Sequence, residues 1–108
     1  MKPLFHPNLD QVTLAGVLYA LGDPVRLAIV QLLAAGGEYP CSAFDCDLAK
    51  STVSHHFKIL REAGVIFSRK SGTQHLNSLR REELESLFPG LLDSVLANCG
   101  AARQAEMI

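Results

Sequence analysis

Along most of the chain, apolar residues recur at helical spacing; in one segment the period changes. Residues 9–21, LDQVTLAGVLYAL, place Val12, Leu14, Ala15, Val17, Leu18 and Leu21 around most of one helix. An apolar surface that wide predicts burial on two sides, against the chain's own core and against a partner. Asp23-Pro24 then supplies an N-cap acceptor and a proline at the first helical position. VRLAIVQLLAA follows at helical spacing until Gly36-Gly37 stops it. Residues 38–49, EYPCSAFDCDLA, are less regular. Ala43, Phe44 and Leu48 anchor a short helical segment there, and Pro40 and two aspartates limit its length. The next helix is capped by Ser51 or Thr52, runs to Ala63 and ends at Gly64.

VIFSRKSGTQHLNSL breaks the helical period. Val65, Ile66 and Phe67 lead into a Ser71-Gly72 turn, and Leu76 and Leu79 lie on the return, which predicts a β-hairpin with a basic tip. RREELESLFPGLLDSVLANCG returns to helix, with Leu84, Leu87, Phe88, Leu91, Leu92, Val95 and Leu96 on one side and Pro89 kinking or splitting it. The tail AARQAEMI is expected to fray. The predicted order is helix-helix-helix-helix-hairpin-helix. This is a mainly α chain with a small β-hairpin wing (α+β), a winged helix-turn-helix. Residues 1–108 then form one domain, with its first and last helices free for dimerisation.

Composition agrees with one small helical core. The chain has 108 residues, 48% hydrophobic and 6% aromatic, with no tryptophan. No apolar run reaches the roughly 18 residues that span a bilayer. The start, MKPLFHPNLD, lacks a secretory apolar region. The expectation is a soluble, cytoplasmic protein with no membrane contact. Cys41, Cys46 and Cys99 are an odd set without framework spacing, so they are expected to be free thiols.

Net charge is only -1, but its distribution is uneven. Residues 50–81 hold seven Lys and Arg against Glu62 alone, while the segments on either side are net acidic. A basic block of this kind attracts phosphate backbones.

Inside that block lies KSTVSHHFKILREAG, with two adjacent histidines. Advancing about 100° per residue puts Val53, Phe57 and Leu60 on one buried stripe. Ser51, Ser54, His55, Lys58 and Arg61 fall on the polar side, and His56 falls at the edge of the stripe beside Ala63. The outward set supplies hydroxyls, cations and an imidazole, the groups that bind base edges and phosphates. A shared metal ion is disfavoured because adjacent side chains diverge by about 100°. There is no HExxH or CxxC motif, and Cys41 and Cys46 are five apart. No nucleophile elbow or Gly-rich phosphate loop points to an enzyme or a cofactor.

ALGDPVRLAIVQLL (20–33) and STVSHHFKILREAGVI (51–66) resemble the ArsR family of bacterial winged-helix repressors. The resemblance covers roughly residues 9–96. It implies a homodimer joined through the first and last helices, and a repressor that releases its operator when an effector acts. The Cys-x-Cys metal box of metal-sensing members is absent: the corresponding stretch reads PCSAFDCDLAK, and no histidine follows His75.

The expected DNA contacts are Lys50, Ser51, Thr52, Ser54, His55, Lys58 and Arg61 on the helix, and Arg69, Lys70 and Gln74 on the hairpin. Their target is double-stranded DNA with an imperfect palindrome. The expected dimer residues are Val17 and Leu18 near the start, and Leu84, Leu87, Phe88, Leu91, Leu92 and Val95 near the end. No metal or cofactor is expected. Cys41 and Cys46 are candidate redox thiols, although Asp45 and Asp47 count against high reactivity, and small buried side chains are the plainer reading. A competing function is a winged-helix protein-interaction module that never touches DNA. The cations Arg69 and Lys70 on the hairpin argue against it.

Overall fold

Side-chain caps set the first corners of the fold. A computed structural model describes residues 4–44 and 46–99. The tail 101–108 lies outside the described residues. Thr13 accepts a hydrogen bond from the Gly16 amide at 3.0 Å, so helix α1 spans Leu14–Leu21. The single helix expected over 9–21 is therefore divided, and Leu9–Gln11 form a separate 3-10 turn. Asp23 Oδ2 accepts from the Val25 and Arg26 amides at 2.9 and 3.1 Å and opens α2, Pro24–Leu33, as its sequence predicted. α2 leaves α1 at a bend of 100°.

Among the described residues between α2 and the histidine helix there is no α-helix. Tyr39–Pro40 form a short strand, β1, and Cys41–Ala43 a 3-10 turn. The short helical segment expected here is limited to that 3-10 turn, and Tyr39 and Pro40 before it join a sheet. Helix α3 spans Lys50–Glu62, with Ala49 as its N-cap and no side-chain cap bond. The cap expected at Ser51 or Thr52 thus lies further upstream, and both hydroxyl residues sit exposed in the first turn.

Gly64 ends α3 for two reasons. Its φ is +89°, and a Cβ there would lie 2.5 Å from Val12 Cγ2. The hairpin follows, β2 (Ile66–Ser71) and β3 (Gln74–Leu79), in register from Ile66↔Leu79 to Ser71↔Gln74. β1 pairs with the far edge of β3, giving a three-stranded antiparallel sheet in the order β1-β3-β2. Pro89 and Gly90 divide the final helical region into α4, Arg81–Leu87, and α5, Leu91–Ala97.

The core draws on every helix: Ala20 and Leu21, Ile29, Val30 and Leu33, Val53, Phe57 and Leu60, joined by Val65 and Ile66. Val17, Leu84 and Leu92, expected at a dimer face, belong to this same core and are shielded by the chain itself. Two buried polar residues, Ser68 and Asn77, face each other across β2 and β3 and share a 2.6 Å hydrogen bond. The Asn77 amide also donates to the Tyr39 carbonyl at 3.1 Å, and so bonds the added strand to the hairpin.

On the other edge of the sheet, the Ser68 amide donates to His6 Nε2 at 2.9 Å, and the His6 ring stacks on Phe67 at 4.5 Å. An otherwise open strand edge is thereby covered by the N-terminal segment. Burial holds the His6 pKa below its ordinary value of 6.5, and the charges of Arg61 and Arg80 push the same way against a backbone bond that raises it. The unfolded chain therefore binds the proton more readily. The His6 contribution to stability is complete above pH 6.5 and is lost as pH falls from there through the lower folded value. Melting temperature should drop on acidification across that window. His6→Gln, which can accept the same bond without titrating, should flatten the drop; an identical pH profile for the variant would refute this role.

Candidate nucleic-acid interface

The stripe read from the sequence is the face α3 buries. Val53, Phe57 and Leu60 lie in the core, while Lys50, Ser51, Thr52, Ser54, His55 and Lys58 are exposed. The two histidines separate as expected, with ring planes tilted by 54°. His55 points to solvent with the hydroxyls, and His56 is half-buried.

His56 has a partner that sequence reading missed. Arg26 is 7% exposed, and its guanidinium closes three hydrogen bonds. Nε donates to the Ala20 carbonyl at 2.6 Å and Nη2 to the Tyr19 carbonyl at 3.3 Å, the last carbonyls of α1. Nη1 lies 3.1 Å from His56 Nδ1. Arginine has no lone pair to offer, so His56 Nδ1 is the acceptor and its ring proton sits on Nε2. Asp23 stands 3.9 Å from the same imidazole nitrogen. Desolvation pushes the Asp23 pKa up, but the Arg26 and Val25 amides, then the charge of Arg26, outweigh it and leave the carboxyl below its usual range. One buried cation therefore fixes α1, α2 and the histidine helix relative to one another. The sequence signal available was an arginine among the apolar residues of VRLAIV, three positions after the N-cap Asp23.

Two expected contacts differ from expectation. Arg61 was placed on the outer face, but it is half-buried, its Nε is closed off without a hydrogen-bond partner, and its charge acts on His6. It is turned toward the N-terminal segment. Arg69 is exposed on β2 but is held by Glu38 in a two-pronged ion pair of 2.6 and 2.8 Å. The Arg69 hydrogen bonds outweigh desolvation and, with a lesser push from the Arg69 charge, hold the Glu38 carboxyl below its ordinary pKa. Lys70 and Gln74 are exposed on the wing, and Gln74 lies across a cleft from Lys50 and Ser54 of α3. Among the described residues no group of three or more His, Cys, Asp or Glu side chains is arranged to hold a metal ion. No single helix among them is long and apolar enough to cross a membrane.

A helix with a polar, hydroxyl- and cation-bearing outer face, backed by a core stripe and flanked by a two-stranded wing, defines a winged helix-turn-helix module. Residues 23–68 match the model of the arsR family of bacterial regulatory proteins. The chain is 38% identical over 89 residues to the uncharacterized HTH-type transcriptional regulator YceK of Bacillus subtilis, covering 80% of this chain and 88% of that one. It is 34% identical over 79 residues to an arsenical resistance operon repressor of Staphylococcus xylosus, covering 72% and 76%. Among solved structures, it is similar to the homodimeric winged helix-turn-helix DNA-binding domain of a possible ArsR-family regulator from Mycobacterium bovis. That match has a TM-score of 0.62, 29% identity and 78% coverage of each chain. The chain belongs to the ArsR family. It is a DNA-binding transcriptional regulator and not an enzyme.

The Glu38–Arg69 pair has a measurable consequence for such a regulator. While it holds, Arg69 is a poor phosphate ligand. Glu38→Gln should release the guanidinium, tighten binding to any DNA sequence and steepen the salt dependence by about one unit. An unchanged salt slope in a fluorescence anisotropy titration would show that Arg69 never engages the backbone.

Proposed function

We propose that this chain is a homodimeric repressor whose two α3 helices read successive major grooves of an imperfect palindromic operator. Ser54 and His55 contact base edges; Lys50, Lys58 and Lys70 contact phosphates; Ser51, Thr52 and Gln74 complete the polar surface. The observation that carries this reading is the outer face of α3. It presents hydroxyls, His55 and Lys58 that the rest of the chain leaves uncovered, and the wing lies beside it. Half-sites are expected about one helical turn, or a multiple of it, apart.

Dimerisation is supported by apolar surface that the chain does not cover itself. On α1, Leu14 and Leu18 are each 47% exposed and Tyr19 67%. On α4, α5 and the break between them, Leu87, Phe88, Leu91 and Val95 are half-buried. An apolar surface spread over two helical regions suits a second copy of the chain. Leu18 is therefore the residue to change, since the buried Leu92 serves the core. Leu18→Asp should give folded monomers with weak operator affinity, because each monomer engages only a half-site. A wild type that sediments as a monomer at micromolar concentration would refute the dimer.

The histidine pair tests the reading face. His55→Ala should weaken operator binding by about 1–3 kcal/mol while leaving random DNA nearly unaffected. His56→Ala removes an acceptor from buried Arg26 and should cost about 1–3 kcal/mol of folding stability instead. Salt titrations on both DNAs, with a melting curve for each variant, separate the two effects. Equal loss on operator and random DNA for His55→Ala would remove it from base readout.

A further inference from the structure

A cleft of about 560 Å3 lies between the 41–43 turn, the start of α3 and the wing. That volume falls within the range of roughly 300–1,000 Å3 typical of small-molecule sites. One part of its wall is apolar, with Phe44, Leu48 and Val53. Cys41 and Cys46 also line it, and both are free thiols. They differ in access. Cys41 is half-buried and its sulfur accepts from the Asn77 amide at 3.5 Å, whereas Cys46 is exposed. An apolar wall carrying an accessible thiol suits an organic electrophile.

We propose that this cleft captures small, largely apolar molecules bearing a carbon–carbon double bond conjugated to a carbonyl, and that Cys46 forms the covalent adduct. The sulfur bonds to the β carbon, the double bond becomes single, and the thiol proton ends on the α carbon; no oxidant is consumed. The rate advantage comes from concentrating the electrophile beside the thiol. Lys50, Ser54 and Gln74 line the same cleft and belong to the DNA-contacting set, so a bound adduct lies between the reading helix and the wing. This regulatory role rests on the DNA-binding reading above, and it makes the cleft the site where an effector weakens operator binding.

The test uses the full chain with two probes of the same chemistry, N-phenylmaleimide and unsubstituted maleimide, with peptide mapping by mass spectrometry. Relative to glutathione and to Cys99, Cys46 should prefer the phenyl compound by about tenfold or more, with a rate that saturates as the probe concentration rises. Leu48→Ser changes a residue already exposed and should reduce that preference. Modified wild type should bind operator about tenfold more weakly, and Cys46→Ser treated identically should bind as before. A preference at Cys46 no greater than that of glutathione would overturn the site. An adduct that leaves operator affinity unchanged would overturn its regulatory role. So would release by hydrogen peroxide alone with no effect of the maleimide, which would make the thiols an oxidant switch instead. Labelling preference is read without DNA, so a failure of the unmodified chain to bind operator would count against the regulator reading and leave the labelling result to decide the site.

Discussion

The buried guanidinium of Arg26 is the constraint on which the rest of this structure depends. A charge removed from water is tolerated only when its donors are matched, and here three of them find the end of α1 and the imidazole of α3. The arginine belongs to α2, so three helices converge on one side chain. Apolar packing alone would let α3 slide or roll by a fraction of a turn. The directional bond to His56 Nδ1 removes that freedom, and it does so at the residue next to His55. The core supplies most of the cohesion, and the arginine supplies the angle at which the reading helix is presented.

The sheet makes a comparable arrangement with neutral groups. Asn77 bonds Ser68 across the hairpin and the Tyr39 carbonyl on the other side, so the wing is tied to the stretch that precedes α3. Outside the sheet, Glu38 and Arg69 join the same two regions through an exposed ion pair. The inner link persists in salt because it is buried, while the outer one is screened.

Much of this was legible in the sequence. The Asp23-Pro24 start, the Gly64 stop, the hairpin with its turn after Ser71 and the stripe of Val53, Phe57 and Leu60 all follow from local rules, because each is decided within a few residues. The assignment of His55 outward and His56 inward also follows, since helical periodicity alone separates neighbours. What escaped depends on long-range pairing. β1 has only two residues and exists because β3 offers it an edge. The partnerships of Arg26 with His56 and of Glu38 with Arg69 span about thirty residues each and carry no local pattern. Arg61 was misplaced because a helical wheel knows nothing of the N-terminal segment near it. Val17, Leu84 and Leu92 are buried in the chain's own core: the first helix is apolar around most of its circumference, and the one-sided stripe of the last region does not reveal which of its residues the core takes and which it leaves for a partner.

The segment that replaces a helix before α3 has a further consequence. A helix packed on a core can change length only by whole turns if its buried side is to stay buried. Cys41 and Phe44 pack against the core, but the loop at 46–49 that follows is under no such rule, and none of its residues is buried. Residues can be gained, lost or exchanged there without disturbing the arginine-centred frame. This makes the segment the natural place for descendants of this chain to acquire new chemical sensitivities while keeping the DNA-facing helix where it is.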